Sequence, residues 1–216
     1  PEPEPATPTD VAEAAERWGF DETVDLADEG VDATGERSVD RALSAVAGDG
    51  TLVYLPPGRY RLSEPLQLTS FERFGLVGRD ATLVPPDGYE ETLLELGVPG
   101  DASELLVEGL DFDFGAESTG GRPVVARVDD RLVLRDLTVR GRQDVQNDMV
   151  RIDVADPEGS GLVERLRLPD GGVSGSWEDD SGITGCEVGS DNRGDVAFVD
   201  CHIAGFPDNG LYANPP

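Results

Sequence analysis

The sequence contains no lysine: all 17 of its basic residues are arginine, against 45 aspartates and glutamates, and the formal net charge is −28 at pH 7. A protein that binds nucleic acid needs basic stripes facing the phosphates. None occurs here, so we expect no nucleic-acid partner. This charge would strain a compact fold by self-repulsion at low salt, whereas molar salt screens it. The acidic residues are spread along the whole chain, which favours a halophilic source over one acidic binding surface.

Cysteine, histidine and long apolar runs are scarce as well. Two cysteines without a CxxC pair, together with a single histidine, are too few ligands for a zinc site. We interpret Cys186 and Cys201 as small buried hydrophobes, with a disulfide across the core as the alternative. No run approaches the roughly 18 apolar residues of a membrane-spanning helix. We therefore expect no membrane span.

What the chain does contain is a repeat. The copies are LLVEGLDF (105–112), LVLRDLTV (132–139), VAFVDCHI (196–203) and a shorter LVERLRL (162–168). When they are superposed, apolar residues fall into three columns: Val107/Leu134/Val163/Phe198, Leu110/Leu137/Leu166/Cys201 and Phe112/Val139/Leu168/Ile203. The copies recur every 27 to 35 residues or so, a period typical of solenoids. The pattern predicts two short strands that meet at a bend in every copy.

A second set of apolar runs interleaves with the first. It comprises LLEL (93–96), VVARV (124–128), MVRIDV (149–154), ITGCEV (183–188) and LYA (211–213). Two strand regions per repeat, joined by turns rich in Gly, Asp and Pro, predict a parallel β-helix. A β-sandwich is the alternative, because short strands at regular spacing also suggest it. A sandwich does not predict matching columns.

Three regions follow from these patterns. Residues 1–20 are predicted to be a Pro-rich acidic linker with a short helix, and residues 21–50 a cap region. Within the cap region a helix is expected over 38–47, with Ser38 as its N-cap and apolar positions at helical spacing. It would cover the open first coil, whose core and strand edges are otherwise exposed. Residues 51–216 are predicted to form the β-helix, with further coils or another chain covering its C-terminal end.

The segments GVDATGERSVDRALSAVA (30–47) and GDGTLVYLPPGRYRLSEPLQL (48–68) resemble the N-terminal coil of the pectate-lyase-like right-handed β-helix superfamily. The resemblance extends to FGLVGRDATL (74–83). It implies an all-β fold, a right-handed parallel β-helix with an N-terminal α-helical cap. The superfamily includes lyases, hydrolases, phage tailspikes and non-catalytic scaffolds, so the fold alone implies no single activity.

Residues between the apolar columns should face outward in two rows: Asp136, Arg165 and Asp200, and then Asp111, Thr138, Arg167 and His202. One interpretation is a ladder of opposite charges between neighbouring coils. The other is a groove for a polysaccharide. Lyases of the resembling superfamily bind acidic sugars through Ca²⁺ and use an Arg or Lys base, which makes Arg165 and Arg167 candidate bases. The candidate catalytic set is completed by Asp200 and His202, and Asp136 is a candidate substrate-binding residue.

The longest interval between copies contains the loop 169–195, and long loops on one face of a solenoid often bind ligands. Trp177 could stack on a sugar ring, with Arg193 as a second substrate-binding residue. Glu178, Asp179 and Asp180 are the candidate Ca²⁺ ligands. Asp179 and Asp180 would also serve a hydrolase together with Asp200, although the Gly-His-Gly and Arg-Ile-Lys signatures of the polygalacturonase branch are absent. The alternative is a solvated loop, because DxDxDG spacing is missing.

The sequence thus predicts an extracellular or cell-surface protein of a halophile that binds or cleaves polysaccharide, as a lyase or a glycosidase-like enzyme. Its partner would be a polysaccharide or a cell-surface glycan. The alternative is a non-catalytic surface scaffold or adhesin. Converging carboxylates and an arginine in a groove would favour the enzyme, and a charge ladder without convergence would favour the scaffold.

Overall fold

The computed structural model describes residues 11–173 and 183–214, in which strands predominate and every strand pair is parallel. The first sheet contains β1 (Glu22–Asp25), β2 (Thr34–Ser38), β3 (Thr51–Leu55), β4 (Gly58–Arg61), β6 (Phe71–Val84), β8 (Ala102–Asp113), β10 (Arg131–Arg135), β11 (Thr138–Arg140), β13 (Ser160–Glu164), β14 (Arg167–Leu168), β16 (Asp195–Val199) and β17 (His202–Ile203). The second contains β5 (Leu66–Leu68), β7 (Thr92–Leu96), β9 (Arg122–Val128), β12 (Val150–Val154), β15 (Cys186–Val188) and β18 (Leu211–Ala213). The helices are α1 (Val11–Trp18) and α2 (Asp40–Val46), with a 3₁₀ turn at Leu26–Glu29.

Strands pair in chain order, each with the corresponding strand of the next repeat. We call one repeat, with its strands in both sheets, a rung. Leu134 of β10 pairs with Val107 on one side and Val163 on the other. Further along, Leu168 pairs with Ile203. The predicted all-β fold with stacked parallel strands is confirmed in this solenoid-like arrangement, and the columns meet in register as the superposition indicated.

The column residues point into a core between the two sheets. Side chains of the first column are buried without exposure as far as Val163, and the last rung is more open, with Phe198 and Cys201 only partly buried. Both cysteines are free thiols. The disulfide that the sequence left open is therefore not formed, and Cys186 lies in the core as a small buried side chain.

The bend between the two strand regions of the first sheet is made by a residue with a left-handed backbone conformation. The corner position is occupied on successive rungs by Gly109, Asp136, Arg165 and Asp200, with φ of 71°, 53°, 54° and 52°. Glycine adopts this conformation without strain, and aspartate tolerates it better than most side chains. The corner sends the side chains of Asp136, Arg165 and Asp200 outward, between two columns that point inward.

Helix α2 lies inside the predicted range 38–47. Its Leu43 is fully buried in the core. Ser38 is the last residue of β2 rather than the N-cap, which is Val39. The Ser38 hydroxyl nevertheless accepts a hydrogen bond from the Asp40 amide at 3.1 Å, so it still satisfies a first-turn donor.

Helix α1 packs on the outer surface of the first sheet. Ala14 and Trp18 are buried there against an outward-facing apolar row, which comprises Leu52, Leu106 and Val133 and is joined by Val77. The Arg131 guanidinium stacks over the Trp18 ring at 3.8 Å. An apolar row thus lies on the outer face of the first sheet, and α1 covers it.

Candidate functional site

The predicted base Arg165 is engaged by carboxylates. Its Nε and Nη2 atoms donate to Asp136 Oδ1 and Oδ2 at 2.5 and 2.8 Å, and Nη1 donates to Glu164. The hydrogen bonds to Asp136 are the main cause that raises the pKa of Arg165. A guanidinium held in this two-pronged way stays protonated. It is therefore poorly placed to accept a proton from a substrate.

The pairing continues across neighbouring rungs. Arg135 donates from Nε to Glu164 Oε2 at 2.6 Å and from Nη1 to Glu108 Oε2 at 3.3 Å. We call Glu108, Arg135, Asp136, Glu164 and Arg165 the corner ladder. Glu108 is almost fully buried in it. The three carboxylates and two guanidinium groups alternate in space, and of these residues only Asp136 and Arg165 belong to the predicted outward row.

Asp200 occupies the next corner after Arg165, on the last described rung, and it is exposed. Among the described residues, the side chain of Arg165 donates to Asp136 and Glu164 and not to Asp200. The structure thus joins Arg165 to one predicted site residue, Asp136, and leaves the Asp200 carboxylate in solvent.

The second predicted row also lies in register. Thr138 pairs with Asp111 and with Arg167, and Arg167 pairs with His202. Arg167 and His202 are exposed neighbours on the outside of the first sheet. An exposed arginine beside an exposed histidine on a strand face offers contacts to a ligand. Both residues remain candidates.

The candidate ligands in the predicted calcium loop lie outside the described residues. Trp177, Glu178, Asp179 and Asp180 belong to the part of the loop outside them, and their roles stay predictions. Arg193 is described: its Nη1 donates to the carbonyl oxygens of Ser190 and Asn192, both at 2.7 Å. These hydrogen bonds hold the Arg193 side chain against the backbone of its own loop. Over residues 11–173 and 183–214, no group of three or more His, Cys, Asp or Glu is arranged to hold a metal ion.

A shallow groove of about 410 Å³ lies at the turns that follow β8, β11 and β14, and it is lined by residues that the sequence analysis did not single out. Its partly exposed apolar side chains are Ala116 and Val173, and Arg142, Asp144 and Asp170 contribute polar groups. Asp170 Oδ2 accepts the Gly141 amide at 2.9 Å, which fixes that carboxylate against the neighbouring turn. The signal available in the sequence was the position of Asp170, at the start of the long interval between copies.

Charged residues also meet on the outside of the second sheet. Arg122 Nη2 donates to Asp148 Oδ1 at 2.9 Å, and Arg151 lies in register with Glu187 of the next rung. Sequence reasoning missed this cluster because its members are dispersed over some 65 positions and share no motif.

In the part of the chain that the structure describes, no helix has the length and apolar character needed to cross a bilayer. Comparison of the chain with protein-family models, with curated proteins and with solved structures found no match.

Proposed function

We propose that this chain is a right-handed parallel β-helix, capped at its N-terminal end by α2, that a halophile exports as a non-catalytic surface scaffold or adhesin. The observation that carries the proposal is the two-pronged pairing of Arg165 with Asp136 inside the corner ladder. A lyase base has to be free to approach the substrate and to accept its proton. The N–H groups of Arg165 instead donate to Glu164 of its own rung and to Asp136 of the preceding rung.

Two physical arguments support the handedness and the cap. A connection between parallel strands of one sheet is right-handed in about 98% of cases, and every described strand pair here is parallel. The end of a stack exposes apolar core and unpaired strand edges. The burial of Leu43 of α2 in the core supports the proposal that this helix covers such an end.

A second function, binding or cleavage of polysaccharide, is favoured by the groove near Arg142, Asp144 and Asp170. Its volume of about 410 Å³ lies within the range of about 300–1,000 Å³ that small-molecule sites use. Apolar surface with a few polar groups suits a sugar ring, and Ca²⁺ could bridge its carboxylates to an acidic sugar. In this version the scaffold would hold a cell-surface glycan.

The test is an activity and binding assay on the purified chain in molar salt. Acidic and neutral polysaccharides are incubated with the protein and Ca²⁺, and new reducing ends and unsaturated products are measured. The scaffold proposal expects neither product. Turnover that disappears in the variant Arg165→Ala/Arg167→Ala, with the circular dichroism spectrum unchanged, would overturn it. Binding without turnover that is lost in Arg142→Ala, and kept in Arg140→Ala, would support the glycan-holding version.

A further inference from the structure

Three consecutive rungs meet at one carboxylate on the outside of the second sheet. Glu187 of β15 lies within hydrogen-bonding reach of Asp148, which precedes β12. On the other side, Glu187 Oε1 accepts a hydrogen bond from Asn214 Nδ2 at 2.8 Å, and Asn214 follows β18. Asn214 Nδ2 also donates to the Val188 carbonyl at 3.1 Å. We call Asp148, Glu187 and Asn214 the clasp.

Asp148 has one satisfied oxygen and one that lacks a donor. Its residue exposure is 7%, and Oδ1 accepts from Arg122. Arg122 is itself fixed, because it also donates to Asn147 Oδ1 at 2.7 Å and to the Asp148 carbonyl at 3.1 Å. Asp148 Oδ2 is buried and has no hydrogen-bond donor among the described residues when all carboxylates are taken as ionised. A buried oxygen of this kind calls for a donor.

Two ionised carboxylates in contact repel each other, so the contact needs a proton or a cation between them. A calcium ion takes about six to eight oxygen ligands, and two carboxylates fall well short of that number. Positive charge is already supplied by Arg122 on Asp148 and by Arg151, which lies in register with Glu187. A further cation is therefore disfavoured, and a proton is the occupant that fits.

We propose that Glu187 holds a proton and donates it to Asp148 Oδ2, so that the clasp ties the last three described rungs together and loosens as the pH rises. The pKa of Glu187 is raised, first by burial and then by the negative charge of Asp148, while Arg151 acts in the opposite direction. Tyr212 of β18 lies in register with Glu187, and Asp208 approaches the neighbouring Thr184 with its Oδ2 at 3.5 Å. Cys186, beside Glu187 in β15, stays neutral because burial raises its pKa.

The sign of the pH dependence follows from the direction of the shift. Folded Glu187 binds its proton more tightly than the unfolded chain does, so the clasp contributes its full stability below the ordinary pKa of a glutamate. That contribution is lost as the pH rises through the raised value. One linked proton changes the unfolding equilibrium constant by up to about tenfold per pH unit in that interval.

The experiment compares the wild type with Glu187→Gln in molar salt between pH 4 and pH 8. Glutamine keeps Oε1 for Asn214 and supplies a permanent N–H donor for Asp148. We expect wild type and variant to unfold at similar urea concentrations at the acidic end, and the variant to be more stable at the alkaline end. Asp153, whose pKa is also raised by burial, adds a slope common to both proteins, so the difference between them is the readout.

Glu95→Gln is the matched control. Glu95 lies in the same outward row three rungs earlier, where it contacts Gln67 at 3.0 Å and Arg127 at 3.6 Å. It should keep the wild-type pH slope. Isotope-edited infrared spectroscopy across the same pH range should show a protonated carboxylic acid that persists to higher pH than that of an ordinary glutamate and is missing in Glu187→Gln. Equal pH slopes in wild type and Glu187→Gln, or absence of that acid band from the wild type, would overturn the proposal.

Discussion

Arg165 and Asp136 take the same corner position on adjacent rungs, with φ of 54° and 53°, and their side chains form a two-pronged ion pair at 2.5 and 2.8 Å. The left-handed backbone turns both side chains outward on the same side of the stack. Since neighbouring strands lie about 4.8 Å apart, opposite charges at equal corners are brought into contact. The corner geometry thus converts a sequence repeat into a charge pair.

Replacing Arg165 by alanine should lower the free energy of unfolding by about 1–2 kcal/mol, because the partly buried Asp136 loses its guanidinium partner and Glu164 keeps only Arg135. Arg167→Ala is the control, since that side chain is exposed and should change stability by less than about 0.5 kcal/mol. Urea unfolding in molar salt measures both. Equal losses in the two variants would contradict a stabilising role for the corner ladder.

Asp200 allows the strain at the corner to be measured. Asp200→Gly and Asp200→Ala remove the same charge from an exposed position with φ of 52°. A left-handed backbone costs free energy for alanine, because of its Cβ atom, and not for glycine. The glycine variant should therefore be more stable by about 1 kcal/mol. The comparison uses thermal and urea unfolding of the two variants. If Asp200→Ala were at least as stable as Asp200→Gly, the corner backbone would have to relax when the side chain is changed.

Gly109 should tolerate no side chain at all. A Cβ there would stand 2.3 Å from the Gly78 carbonyl oxygen, and the backbone is left-handed as well. We expect Gly109→Ala to cost about 2–3 kcal/mol. Gly30→Ala separates the two causes, because Gly30 has φ of 67° and nothing within 4 Å of the added atom. It should cost only about 1 kcal/mol, and a loss as large as that of Gly109→Ala would dismiss the steric contribution.

The two thiols should react at different rates. Cys186 is fully buried and burial raises its pKa, whereas Cys201 is only partly buried, with Sγ 3.4 Å from two carbonyl oxygens. The thiolate is the reactive form. Mass spectrometry after iodoacetamide treatment should therefore find Cys201 modified first and Cys186 modified only on unfolding. Labelling of Cys186 at the rate of Cys201 in the native state would contradict the described core.

Stability should fall steeply when salt is removed. With a net charge of −28, repulsion is screened at 1 M, where the Debye length of about 3 Å is shorter than the rung spacing, and much less so at about 10 Å in 0.1 M salt. Thermal unfolding across a sodium chloride series measures the effect. Trimethylamine oxide is the control, because it favours burial without screening charge. Equal rescue by the osmolyte at low salt would argue against an electrostatic cause.

The inner face of the fold was readable in the sequence because each column repeats a buried position. The outer helix α1 was harder to foresee. Strands β3, β8 and β10 contain consecutive apolar residues, as at Leu105, Leu106 and Val107, and such runs are typical of strands covered on both faces. That signal was present, but it does not say which segment supplies the cover. Only the packing of Trp18 and Ala14 identifies α1.

The candidate sites show the same division. The sequence placed Asp136 and Arg165 in one row, yet it left open whether they form a ladder or a groove. Asp148 and Glu187 were not linked at all, because the long loop between β14 and β15 hides the register of their strands.

The sequence by itself determined the inward columns, the outward rows and the charge of the surface, since apolar spacing decides which positions avoid water. Only the tertiary structure decided which outward charges meet. Coulomb attraction and hydrogen bonding depend on separations of a few ångströms. Those separations are set by the rung-to-rung register and by the left-handed corners, which bring Arg165 onto Asp136 and Glu187 onto Asp148.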